Sequence, residues 1–202
     1  MKTHTATLAL LAAATTGHAA ITITDGTSAP TYDVTLNFDE AGGPTGSVPA
    51  DSWAGIGLAD IISGEGSTVV GDNNQLWGIN DGNSFYGAYG VFMTFSTDLT
   101  NFSAQIWDPS GPPSPFGGGA GVFVYNNGTE VANYFYEPAW GGLGNEWLDI
   151  SADGGMVFDE IRILGYGFFP TTYMDNASWT PAPGAAALLS CVGLGALRRR
   201  RR

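Results

Sequence analysis

The chain has 202 residues, of which 19 are acidic, seven are lysine or arginine and two are histidine, and its net charge at pH 7 is −12. Six of the seven basic residues lie in the terminal segments described below, so the domain between them has too few cations to neutralise phosphates, which excludes nucleic-acid binding. The single cysteine excludes an internal disulfide, so packing must hold the fold together.

The N-terminus predicts a secretory signal peptide over residues 1–19. Lys2 supplies the positive charge of a short n-region, Ala6 to Ala14 form an apolar h-region, and Gly17 and Ala19 are small residues at the cleavage positions. We therefore expect signal peptidase to remove this segment and the chain to be exported.

The exported part of the chain is poor in catalytic residue types. Both histidines precede residue 20, and Cys191 lies in the C-terminal tail described below. Without these two segments, Arg162 is the one basic residue against 19 acidic residues, a net charge of about −18. A Ser-His-Asp triad, a Cys-His pair, a His-ligated zinc and a Schiff-base lysine are therefore excluded. We expect a non-enzymatic protein, and the remaining alternative is a glycosidase that uses carboxylates alone.

Residues 20–180 are predicted to form one all-β domain, a β-sandwich or jelly roll. Tyr32 to Phe38 alternate strictly between apolar and polar side chains, which is typical of a strand with one buried face. Further strands are predicted at Val91–Phe95, Phe102–Ile106, Gly121–Tyr125, Thr129–Tyr136, Trp147–Ile150, Phe158–Leu164 and Thr172–Trp179.

Turn residues separate the predicted strands. The sequence Asn-Asn-Gly at residues 126–128 predicts a type I′ β-hairpin, because Asn and Gly tolerate positive φ angles. Two glycines argue against a helix at Trp53–Ile62. Long loops, which commonly carry binding function on a sandwich, are predicted at Glu40–Asp51, Gly64–Gln75 and Ser110–Gly121.

The closing segments of the domain, Ile161–Gly165 and Tyr173–Trp179, resemble the final hairpin of jelly-roll carbohydrate-binding modules. In many of those modules, acidic residues from the first and last strands hold a cation. The resemblance implies a calcium site at Asp39, Glu40 and Asp175, and calcium prefers such oxygen ligands. The alternative is that these carboxylates cap strands and solvate turns.

The chain is rich in aromatic residues, with six tryptophans and eight tyrosines. Flat aromatic rings stack on pyranose rings, so this composition indicates a sugar-binding surface. The residues expected to bind glycan are Trp140, Tyr136 and Trp53, which lie in glycine-rich surroundings. The alternative is that these rings fill a core that is short of leucine and isoleucine.

The tail, residues 181–202, combines three features. Pro181 and Pro183 flank Ala182, an apolar run follows from Ala185 to Leu197, and the chain ends in Arg198, Arg199, Arg200, Arg201 and Arg202. The apolar run is roughly 20 Å long as a helix against roughly 30 Å of bilayer hydrocarbon, which favours a transient anchor. The arginines are expected to stay on the cytoplasmic side.

This tail resembles the PEP-CTERM sorting signal, in a variant with Ala182 where that family usually has glutamate. The resemblance implies a protein that is exported through the inner membrane, held transiently by the sorting helix and processed by an exosortase-type membrane enzyme. It further implies a cell-surface or extracellular protein associated with extracellular polysaccharide and the biofilm matrix. A glycan-binding module with structural calcium is the alternative function.

Overall fold

The computed structural model describes residues 20–40, 43–72, 82–107, 118–136, 147–167 and 171–184. Their strands form one continuous antiparallel sheet, so the prediction of an all-β domain is confirmed. A 3₁₀ turn lies at Ala54–Ile56. The predicted signal peptide and the tail from residue 185 onward, including its arginines, lie outside the described residues. The strands are β1 (Ile21–Gly26), β2 (Val34–Leu36), β3 (Gly46–Ser47), β4 (Leu58–Ser63), β5 (Val69–Asp72), β6 (Asn83–Ala88), β7 (Val91–Trp107), β8 (Gly118–Asn126), β9 (Thr129–Tyr136), β10 (Trp147–Ala152), β11 (Phe158–Gly167) and β12 (Thr171–Pro181).

The strands alternate between a buried and a solvent-facing side. In β11, Ile161 and Ile163 are fully buried, whereas Glu160 and Arg162 are partly exposed. Successive side chains of a strand point to opposite faces, so this spacing places one face on the core. A slip of one residue would turn the isoleucines to water, and burial of one face therefore fixes the register.

Strand β7 is the longest and organises the sheet. Its first half, from Val91 to Phe95, lies between β4 and β11. Its second half, from Asn101 onward, lies between β10 and β12. Strand β7 thus belongs to two groups of strands. The first group has the order β4-β7-β11-β8-β9, and the second has the order β1-β10-β7-β12. Strands β2 and β6 pair with the edge of β12 that faces away from β7. The two groups share one hydrophobic core, which makes the sheet sandwich-like.

The change of partners in β7 coincides with a shift in register. The pairing of β7 with β11 is irregular between Thr94 and Leu99, and such irregularities bend and twist a strand. The ring of Phe95, just before the bend, packs edge to face on Phe102 and Trp179 beyond it, with centroid distances of 6.1 and 5.4 Å. The bend therefore turns the inner faces of both groups toward the same core.

The hairpin between β8 and β9 is confirmed. Asn127 and Gly128 have φ angles of 49° and 74°, as a type I′ turn requires. The backbone N–H of Asn127 donates to the carboxylate of Asp159, at 3.0 and 3.2 Å from its two oxygens. A side chain of β11 therefore anchors the tip of the hairpin.

Two features of the sheet differ from the prediction. The segments predicted as separate strands at Val91–Phe95 and Phe102–Ile106 are one strand, because the bend in β7 keeps the intervening backbone paired. The loops predicted at Glu40–Asp51, Gly64–Gln75 and Ser110–Gly121 are wrong over β3, β5 and the start of β8, respectively, and β1, β4 and β6 were not predicted. β4 lacks a regular period because its own pairing shifts between Leu58 and Asp60, and β6 buries small residues on both faces.

Gly90 precedes β7 and should be intolerant of any side chain. Its φ of 117° is unfavourable for L residues, and an added Cβ would overlap the carbonyl oxygen of Ile163. We expect Gly90→Ala to lower the free energy of unfolding by about 3 kcal/mol. Gly71→Ala is the matched control, since a Cβ there meets nothing within 4 Å, and it should stabilise the strand by about 0.5 kcal/mol. Denaturant unfolding of both variants measures the difference, and equal midpoints would contradict this packing.

Candidate functional site

A polar cleft of about 590 Å³ lies beside the pairing of β2 with β12. Its volume is in the range of small-molecule sites, roughly 300–1,000 Å³. The cleft is on the solvent side of the sheet, because Thr35 and Asn37 are exposed whereas Leu36 and Phe38 are buried. The polar and aromatic side chains that line it include Thr31, Thr35, Asn37, Glu40, Trp147 and Asn176.

The register of the sheet explains why these residues meet. Trp147 of β10 pairs with Gln105 of β7, and Gln105 pairs with Asp175 of β12. In the adjacent row, Ser103 pairs with Ser178, which pairs with Thr35 of β2. Residues two apart in a strand share a face, so both rows lie on the same outer surface.

A tight turn after β2 brings Glu40 to the cleft. The side-chain oxygen of Asn37 accepts the backbone N–H of Asp39 at 3.2 Å, and the carboxylate of Glu40 accepts the backbone N–H of Asn37 at 3.2 Å. Phe38 between them has a φ of 60° and buries its ring. Burial of this ring holds the turn, and the turn holds the carboxylate at the mouth of the cleft.

An irregularity in β12 presents Asn176. The pairing with β7 shifts between Asp175 and Ser178, and Asn176 has a φ of 49°. Its backbone N–H donates to Asp175 at 2.7 Å, and its amide nitrogen donates to Gln105 at 2.9 Å and to Asp175 at 3.3 Å. These bonds fix the planar amide and turn its carbonyl oxygen away from Gln105 and Asp175. Asn176 is exposed, whereas Asp175 is 1 % exposed.

A buried chain of hydroxyl groups holds the segment that carries Thr31. The Ser103 hydroxyl donates to the backbone oxygen of Pro30 at 2.7 Å, so the Ser178 hydroxyl, 2.8 Å away, must donate to Ser103. Ser178 in turn accepts the backbone N–H of Tyr32 at 3.1 Å. The segment from Pro30 to Tyr32 is therefore tied across two strands, and Thr31 sits over the cleft.

The charged groups around the cleft are acidic. Glu40 lines it, Asp175 lies behind Asn176, and Asp149 accepts a hydrogen bond from the Tyr32 hydroxyl at 2.6 Å. Arg162, the one basic residue of the described part of the chain, lies on β11 in the other group of strands. Its guanidinium is ion-paired with Glu160 and stacks on the ring of Tyr125 at 4.6 Å.

The residues predicted to bind calcium occupy different surroundings. The carboxylate of Asp39 accepts the backbone N–H of Asn83 at 2.7 Å and packs against Gly82 at the start of β6. Glu40 is in the cleft, and Asp175 is buried beside it. Within the described ranges, no group of three or more His, Cys, Asp or Glu side chains is arranged to hold a metal. Calcium binding at these three residues stays a prediction.

Of the aromatic residues predicted to bind glycan, Trp53 is the one whose side chain is described, and it does not line the cleft. Trp53 is 7 % exposed and packs edge to face on Phe38, 5.4 Å between ring centroids, so its ring fills the core, as in the alternative given above. Tyr136 ends β9 and its side chain is not described, and Trp140 lies outside the described residues. Trp147, which sequence reasoning treated only as part of a strand, lines the cleft instead. Its alignment with Gln105 depends on pairing between distant segments, so no local pattern could reveal it.

Comparison of the chain with protein-family models, curated proteins and solved structures finds no significant match. In the part of the chain that the structure describes, no helix is long and apolar enough to cross a membrane.

The contact between Tyr32 and Asp149 should make the stability of the fold depend on pH in the alkaline range. Burial, followed by the hydrogen bond and negative charge of Asp149, raises the pKa of Tyr32 from 10.0 to about 12. Because the folded pKa is the higher one, the stabilisation is complete below pH 10 and is lost as the pH rises through 12. We expect Asp149→Asn to lower the pKa of Tyr32, since the charge is removed while an acceptor remains.

Absorbance titration of tyrosinate measures this pKa directly. Subtracting the titration of Tyr32→Phe isolates the contribution of Tyr32 from the other tyrosines. A difference curve with an ordinary midpoint near 10 would show that the contact with Asp149 is not formed in solution.

Proposed function

We propose that the chain is an exported, non-enzymatic protein of the cell surface or extracellular matrix, and that its β-domain binds glycan in the cleft. The observation that carries the binding proposal is the composition of the cleft. Hydroxyl, amide and carboxylate groups surround one indole side chain on a solvent-facing surface. Sugars offer hydroxyl groups to such donors and acceptors and C–H faces to an aromatic ring.

The fixed geometry of these groups supports binding. Asn176 is oriented by its bonds to Gln105 and Asp175, and Glu40 by its bond to the backbone of Asn37. Groups that are oriented before the ligand arrives lose less entropy on binding. The cleft is therefore suited to recognise a polar ligand with several hydroxyl groups.

The distribution of carboxylates favours binding over hydrolysis. Glycosidases place two carboxyl groups roughly 5 to 9.5 Å apart, facing one sugar. Among the described residues that line the cleft, Glu40 is the one carboxylate. Asp175 nearby is buried, and both of its oxygens accept hydrogen bonds from Asn176.

Export and sorting form the second part of the proposal. Residues 1–19 would be removed by signal peptidase, and residues 181–202 would be read by an exosortase-type enzyme, with transient anchoring by the C-terminal helix. The sandwich-like domain would then belong with the jelly-roll carbohydrate-binding modules, and extracellular polysaccharide would be its partner. The excess of negative charge suits a protein that stays soluble in a matrix.

The position of the Pro-Ala-Pro segment refines where processing can occur. Pro181 ends β12, and the backbone N–H of Ala182 donates to the backbone oxygen of Asp98 at 2.8 Å, with Ala182 8 % exposed. Pro183 and Gly184 are exposed. A protease needs an accessible segment, so the folded domain should be cut after Ala182.

Intact mass of the protein from its native host tests this proposal. We expect loss of residues 1–19 and a new C-terminus beyond Ala182 in the surface or medium fraction. An unprocessed C-terminus on a membrane-bound species would contradict the sorting proposal. A cut before Pro181 would contradict processing of the folded domain.

Glycan binding is tested by screening polysaccharides and then comparing variants. We expect Trp147→Ala to weaken binding about 10-fold or more, because a stacked ring is lost, and Trp147→Phe to retain part of it. Tyr89→Ala, which removes an exposed aromatic ring from the turn before β7, should leave the affinity unchanged. Repeating the measurements and the melting curves with a calcium chelator tests the predicted calcium site, since a bound cation would raise the melting temperature.

A further inference from the structure

The side chains that line the cleft carry negative charge. Glu40 contributes a carboxylate to its lining, and Asn176 turns a carbonyl oxygen away from its protein partners. The other carboxyl groups nearby are those of Asp149 and Asp175. None of the described residues that line the cleft is a cation.

The counter-charge that an acidic ligand would need lies elsewhere. Arg162 is in the other group of strands, where Glu160 pairs with it and the rings of Tyr125 and Phe92 cover it. A uronate or sulfate group entering the cleft would therefore meet carboxylates without a compensating cation. Like charges a few ångströms apart repel each other, and because Glu40 is exposed this repulsion is largest at low ionic strength.

A neutral sugar would meet no such penalty. Its hydroxyl protons can be donated to the carboxylate of Glu40 and to the amide oxygen of Asn176. Hydrogen bonds to a charged acceptor are roughly twice as strong as those between neutral groups. The same carboxylate that repels an acidic ligand would thus strengthen the binding of an uncharged one.

We propose that the cleft selects uncharged glycans and rejects those that carry carboxylate or sulfate groups, with Glu40 as the discriminating residue. This inference rests on the proposed glycan-binding function and names the ligand class of that site. It gives Glu40 a specificity role that is separate from calcium binding. It also predicts that the protein binds the neutral component of a mixed polysaccharide.

The test uses pairs of glycans that differ only in charge. Oligogalacturonates and oligoglucuronates are compared with their carboxyl-reduced, neutral counterparts by calorimetry, with a chelator present so that no cation can bridge carboxylates. We expect the native protein to bind the neutral member of a recognised pair at least about 10-fold more tightly at low ionic strength. Added salt should reduce this difference in affinity, because screening weakens the repulsion between the carboxylates.

Two charge-removing variants locate the selectivity. Glu40→Gln keeps an oxygen that can accept the backbone N–H of Asn37, so the turn should remain. This variant should reduce the affinity ratio between the neutral and the acidic glycan about 10-fold. Glu130→Gln changes the net charge by the same amount, but Glu130 lies on the β8–β9 hairpin, where it accepts a hydrogen bond from Asn133. This control variant should leave the affinity ratio unchanged. If both variants change the affinity ratio equally, the selectivity is a general effect of net charge, and the proposal that Glu40 discriminates between the glycans is overturned.

The remaining outcomes separate this inference from the proposed function. If the native protein binds the acidic member as tightly as the neutral one, the selectivity is overturned while glycan binding stands. If it binds no glycan of either kind, including the wider polysaccharide panel, the proposed binding function fails and this inference fails with it.

Discussion

The pairing of strand β7 with four other strands is the constraint on which the rest of the structure depends. Because β7 bends near Leu99, its first half faces the same core as its second half, and Phe95 packs on Phe102 and Trp179. The alternation along the second half turns Phe102 inward and Ser103 outward. Core packing and cleft position therefore follow from one register.

The cleft forms where buried hydroxyl groups on the outer surface of this sheet are hydrogen-bonded to a covering segment of the chain. Ser103 and Ser178 are buried although they belong to the outer row, since the segment from Pro30 to Tyr32 lies over them and accepts or donates their hydrogen bonds. Buried hydroxyl groups without such partners would be costly. The covering segment also forms one wall of the cleft, so stability and recognition share the same contacts.

The negative charge of the domain is relevant both to the cleft and to the proposed location of the protein outside the cell. An excess of carboxylates supports solubility in a matrix and leaves the surface poorly suited to polyanions. Arg162 does not offset this excess at the cleft, because cation–π contacts and Glu160 hold it on β11. The domain would therefore be retained by hydrogen bonding and stacking with neutral sugars, and the C-terminal tail would decide where it is delivered.

The sequence by itself determined the all-β class and the hairpin at Asn127 and Gly128, because alternation and turn residues are local properties. The resemblance implied a calcium site at Asp39, Glu40 and Asp175, which stays a prediction; the structure places Glu40 in the cleft. Only the tertiary structure decided that Trp53 is buried and that Trp147 lies near Asn176. Exposure and cross-strand register depend on which distant segments pair, and a residue's neighbours along the chain do not contain that information.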